Sequence, residues 1–167
     1  MNKRPQLALP GQTHVAERPA NTRLSLFALV VLIANVLAAT LAVTVNWPSQ
    51  FGGVVGTDAG QEWLSRGTAI SAPLAPAMCF VLIAILVRFD SWVGWLGVGL
   101  AFLTGVLVFV GGMGELIAEP TGDVARAVLI MAGVLWGGIA ATFVVLGIAA
   151  TRERLAHRDA TRVARRL

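Results

Sequence analysis

The sequence predicts an all-α, polytopic integral membrane protein folded as an up-and-down bundle of four transmembrane helices, and three observations carry that expectation. The 167 residues are 56% hydrophobic and only 13% charged, against about 45–50% and about 25% in soluble domains. The apolar residues fall into four long runs separated by short polar segments. Basic residues gather around alternate connections between those runs.

Residues 1–23, rich in Pro, Gln and Thr, have too little to bury and are expected to form a disordered cytoplasmic tail. Span one, residues 24–45, is uncharged over 22 residues. As a helix it is about 33 Å long, which matches a hydrocarbon layer of ~30 Å. Its apolar run exceeds the ~7–15 residues of a cleaved signal core, and a long polar segment precedes it, so it reads as a retained anchor. Span two, residues 69–87, carries Pro73 and Pro76 near its start. Each removes a backbone donor and biases the preceding residue away from helical geometry, so the outer half of this span is expected to bend or begin irregularly. Irregular backbone at that depth is tolerated where it is buried in protein or lines a cavity, which makes this half the best place for a ligand. The competing reading is a kink that only fits its neighbours.

Span three, residues 91–114, is expected to end in a flexible turn at Gly111, Gly112 and Gly114. Glu115 and Glu119, four residues apart, then share one face of a short interfacial helix. Asp123 stands where span four, residues 124–150, wants an N-cap, with Arg126 placed to pair with it. Residues 151–167 form a basic amphipathic cytoplasmic tail that either extends span four or lies on the membrane. In the latter case Arg152, Arg154, Arg158, Arg162, Arg165 and Arg166 meet anionic lipid.

Charge sets the orientation. Lys3, Arg4, Arg18 and Arg23 precede span one, Arg88 separates spans two and three, and six arginines follow span four, so eleven of the thirteen basic residues share one side. The other side keeps Arg66 and Arg126 among Asp58, Glu62, Glu115, Glu119 and Asp123. The positive-inside rule makes both termini cytoplasmic, which requires an even number of spans. The preference for arginine over lysine, with abundant Ala, Val and Gly, points to a GC-rich bacterial source and hence to the cytoplasmic (inner) membrane. Trp47 and Trp63 flank one interface and Trp92 and Trp95 the other, whereas Trp136 falls mid-span and reads as a packing residue, a ligand contact being the alternative.

Helices in lipid associate largely through close packing over small residues. Span one carries Ala34, Ala38 and Ala42 in a stripe, span three Gly97, Ala101 and Gly105, and span four Gly133, Gly137 and Ala141. The last two stripes are expected to face each other within one chain, a homodimer seam being the alternative.

Composition removes several chemistries. The single Cys79 cannot make an internal disulfide, a CxxC pair or a cysteine-rich metal site. His14 and His157 lie in the polar ends, away from where a bis-histidine haem would need them. The formal charge of +4 follows topology better than it follows nucleic acid. No Ser/His/Asp, HExxH or phosphate-loop arrangement occurs. The expectation is therefore no cofactor, no metal and no catalysis.

Two groups remain as ligand or partner candidates. Asn35, the most polar residue near mid-bilayer, either bonds across a helix interface or orients a ligand. Glu115 and Glu119, with Asp123 nearby and Glu62 or Asp58 in support, either attract a cation or basic partner at the outer mouth or simply form a solvated acidic loop. No family is recognised from these motifs. The expected role is a non-catalytic scaffold or accessory subunit of a larger membrane complex, whose partners are the bilayer and another membrane protein or itself. The alternative is a homo-oligomeric permease or channel with an outward pocket near Asn35.

Overall fold

The computed structural model describes residues 19–50, 58–117 and 124–164, with the side chains of 161, 162 and 164 left aside. Among these residues the chain is helical: α1 (Pro19–Thr44), α2 (Ala59–Trp63), α3 (Leu74–Leu86), α4 (Trp92–Ile117) and α5 (Arg126–Ala164). No strand occurs among the described residues, and an isolated antiparallel bridge joins Pro48 to Thr68. Three helices, α1, α4 and α5, are long and apolar enough to cross a membrane, which points to a multi-pass membrane protein. The 13 residues of α3 give a helix of only about 20 Å.

The long helices and α3 close a ring in the order α1, α3, α4, α5 and back to α1, with α4 and α5 the most extensive pair. Side-chain pairings show that neighbours run antiparallel. Along α1 and α3, Ser25 Oγ donates to Ala84 O at 2.7 Å while Asn35 meets Ala72. Along α4 and α5, Gly94 abuts Arg154, Gly147 abuts Phe102, Gly105 abuts Ala140, and Gly112 abuts Trp136. The bundle thus has an arginine-rich end, where Arg88 and Arg154 lie, and a loop end holding α2. Phe27 meets Phe143 edge-on at 4.9 Å between ring centroids, and Phe80 stacks on Phe143 at 5.7 Å. These three rings fill the bundle between α1, α3 and α5, with Val98 and Ala101 buried beside them on α4.

Three packing expectations differ in detail from the structure. The buried face of α1 runs through Leu24, Ala28, Val31, Asn35, Ala39 and Ala42, which leaves Ala38 half-buried and turns Ala34 outward. On α5 the face toward α4 uses Gly133, Trp136, Ala140, Phe143 and Gly147. A Cβ on Gly137 would meet nothing within 4 Å, and Ala141 is exposed. On α4, Ala101 is buried and Gly105 faces α5, but Gly97 faces the last turn of α3 at Leu86 and Val87. A spacing of four drifts off a 3.6-residue face within two turns, so mixed steps of three and four follow the contact better.

The end of span three also differs. No turn forms at Gly111–Gly114; α4 continues through them to Ile117 and places Glu115 on its own last turns. Gly112 earns its place by contact: a Cβ there would lie 3.0 Å from Trp136 Cβ and 3.2 Å from Gly133 O. The close approach of two backbones offsets the weak helix propensity of glycine.

The C-terminal segment extends α5 as one continuous helix through Ala164. Arg152 and Arg158 are exposed on it, but Arg154 is buried and not lipid-facing. Its Nη2 donates to Val87 O at 2.8 Å and to Phe89 O at 3.1 Å, satisfying carbonyls that the end of α3 leaves open. The guanidinium also lies 5.9 Å from the Trp95 ring centroid, and that of Arg158 lies 5.4 Å from it. Arg162, Arg165 and Arg166, like Glu119 and Asp123, fall outside the described side chains.

Candidate functional site

The loop end is built as a folded cap. After α1 the chain reverses at Asn46, whose φ of 50° lies in the left-handed region that asparagine tolerates better than most residues. Its Oδ1 accepts from Ala59 N at 3.0 Å, while Asp58 Oδ1 accepts from Gln61 N at 2.9 Å and caps the short α2. Glu62 Oε2 accepts from Ser49 N at 3.1 Å, and Glu62 Oε1 pairs with Arg66 Nη1 at 3.3 Å. Asp58 and Glu62 are therefore engaged in holding the cap. Gly67, at φ 83°, then turns the chain toward the bundle.

From Thr68 the backbone enters the bundle without forming helix. Ala69 N donates to Trp47 O at 3.3 Å at the loop end. Thr68 Oγ1 accepts from Ser71 N at 3.1 Å, and the Thr68 and Ser71 hydroxyls meet at 2.8 Å. At the deep end, Asn35 Oδ1 accepts from Ala72 N at 2.7 Å and Asn35 Nδ2 donates to Ala72 O at 3.3 Å. Only after Pro73 does α3 begin. Proline at positions 73 and 76 disfavours helix over the residues before it, and the exposed amides find partners in Asn35 and Thr68.

This non-helical entry leaves a gap beside α4 and α5, a cavity of about 620 Å³. One wall is the entry segment itself, from Ser65 and Arg66 through Thr68 and Ser71 to Pro73 and Pro76. The opposite wall is the loop-end half of α4, with Leu107, Val108, Gly111, Gly112 and Glu115, and Trp136 of α5 completes it. Glu115 is 8% exposed, and its Oε2 has no hydrogen-bond partner among the described residues. Trp136 is buried as well, at 7% exposure.

The predicted site residues separate accordingly. Glu115 faces the cavity from α4, Asn35 stands behind it and ties the entry segment to α1, and Pro73 and Pro76 line it. The sequence favours packing over ligand contact for Trp136, and the residue both packs on Gly112 and forms cavity wall. The Thr68–Ser71 turn was missed. Its signal was a Thr and a Ser three residues apart, just ahead of proline, which favours side-chain-to-backbone bonds over helix. Among the described residues, no group of three or more His, Cys, Asp or Glu side chains is placed to hold a metal ion.

Compared with family models, curated proteins and solved structures, the chain matches none.

Proposed function

We propose that the protein is a non-catalytic, four-span protein of a bacterial cytoplasmic membrane that acts by binding, as an accessory or modulatory subunit of a larger membrane complex. The observation that carries this reading is the cavity at the loop-end half of the bundle, together with what lies beyond it. Its lining residues stop at Leu107 and Pro76, and beyond them lies the packed set Phe80 and Phe143 with Ala101. A pocket that ends on a close-packed core suits capture of a ligand or partner group better than passage through one chain.

The fourth span in this reading is composite. The segment from Ala69 to Ala72 runs from the level of Trp47 to that of Asn35, and α3 continues from there to Arg88 beside Ser25. Helix and entry segment together run beside α1 from Ser25 to its C-terminal end. With four crossings, Arg88, Arg152, Arg154 and Arg158 share one side, the cytoplasmic one by the positive-inside rule, and the cavity opens outward.

The test is the composition and mass of the tagged protein, extracted from its native membrane in mild detergent and measured by light scattering and mass spectrometry. A stoichiometric second membrane protein, lost when the cavity is filled by Ser71→Trp, is the expected result. A pure homo-oligomer that conducts solute after reconstitution would overturn the accessory role in favour of a permease.

A further inference from the structure

We propose that the cavity binds a lipophilic amine: a largely apolar molecule bearing one ammonium group, which pairs with the Glu115 carboxylate. This rests on the reading of the cavity as a binding pocket and adds the chemistry of its occupant.

The argument starts from cost. A carboxylate buried to 8% exposure with an unpartnered oxygen is expensive to keep in a folded chain unless something neutralises it and completes its hydrogen bonds. The nearby cavity cation, Arg66, is already paired with Glu62 at 3.3 Å. An ammonium entering the cavity supplies the counter-charge to the carboxylate that lines it, and a charge-assisted bond is about twice as strong as a neutral one. An anion would meet Glu115 with repulsion, and a neutral apolar guest would leave its charge uncompensated.

The rest of the wall fixes the body of the ligand. Leu107, Val108, Pro73 and Pro76 offer apolar surface, and Trp136 adds an aromatic surface on the same cavity as Glu115. An aromatic ring attracts cations through its π face. Among the hydroxyl-bearing lining residues, Thr68 and Ser71 are bonded to each other and Ser65 Oγ donates to Glu62 O at 3.5 Å, so they compete little for a guest. A volume of about 620 Å³ falls within the ~300–1,000 Å³ of small-molecule sites.

The experiment measures equilibrium binding of two near-isosteric probes, 1-naphthylmethylamine and 1-naphthylmethanol, to the full chain in phosphatidylcholine nanodiscs at neutral pH. Protein-free nanodiscs subtract partition into lipid. The amine is expected to bind at least tenfold tighter than the alcohol. Glu115→Gln should erase that preference while leaving the alcohol unchanged, and Asp159→Asn, at the other end of α5, should leave both unchanged. Equal binding of the two probes overturns the amine assignment but leaves the pocket standing, whereas binding of neither removes pocket and assignment together. The wild-type ratio decides the matter even where Glu115→Gln fails to fold.

Discussion

The side-chain amide of Asn35 holds Ala72 by both of its backbone polar groups, accepting from its N–H at 2.7 Å and donating to its carbonyl at 3.3 Å. One side chain on α1 thereby does for the entry segment what a strand or helix neighbour does elsewhere: it removes two unpaired groups from an apolar interior. Asn35 is 1% exposed, so water has little access to replace it.

Replacing Asn35 by Ala is therefore expected to destabilise the fold by about 2–4 kcal/mol, since it strands a buried donor and acceptor at once. Thermal unfolding in detergent checks this. A melting temperature equal to wild type would mean that the entry segment is held by other bonds.

Gly133 and Gly137, which look equivalent as a GxxxG pair, are expected to respond oppositely to alanine. A Cβ on Gly133 would lie 2.8 Å from Gly112 O and 2.9 Å from Leu116 Cδ2, whereas one on Gly137 would meet nothing within 4 Å. Gly133→Ala should cost about 1–3 kcal/mol by forcing α4 and α5 apart. Gly137→Ala should be neutral or stabilising by up to ~1 kcal/mol through helix propensity. Unfolding of the two variants side by side measures the difference, and equal losses would contradict this packing.

The difference between those two glycines marks what could be read from the sequence. Long uncharged runs revealed the three span-capable helices because bilayer thickness imposes their length, and Pro73 with Pro76 revealed an irregular start because proline acts locally. The facing of each stripe was only partly legible, since i and i+4 positions share a face for barely two turns and tertiary contact chooses which neighbour they meet. The glycines at 111–114 misled for a similar reason: they read as a turn, yet Gly112 serves a close helix contact that only the partner helix makes visible. Glu115 was legible as a candidate, but its burial beside Trp136 depends on α4 continuing past those glycines. The role of Arg154 had no local signal at all, because the carbonyls it satisfies lie 65 and 67 positions away in the chain.

Arg154 is expected to matter far more than its neighbour Arg152. Removing the buried guanidinium by Arg154→Ala frees the Val87 and Phe89 carbonyls and opens a hole against Gly94, at a cost on the order of 3 kcal/mol from its charge-assisted bonds. Arg152→Ala, on an exposed side chain, should stay within about 0.5 kcal/mol. Similar melting temperatures for both variants would show that the two arginines share one surface role.

Side-specific labelling decides whether the short α3 and its entry segment complete a crossing. In a Cys79→Ala background, single cysteines at positions 14, 61 and 156 can be probed with a membrane-impermeant maleimide on intact cells and on inside-out vesicles. Four crossings require 14 and 156 to react only in inside-out vesicles and 61 only in intact cells. Three crossings, α1, α4 and α5 alone, put 14 and 156 on opposite sides. That outcome would leave the start of α1 on the opposite side of the bilayer from the ends of α3 and α5, yet Ala20 N donates to Glu153 Oε2 at 3.1 Å and Arg88 Nε donates to Ser25 Oγ at 3.0 Å. These bonds tie the start of α1 to the ends of α3 and α5, and labelling of 14 and 156 from one side is the expected outcome.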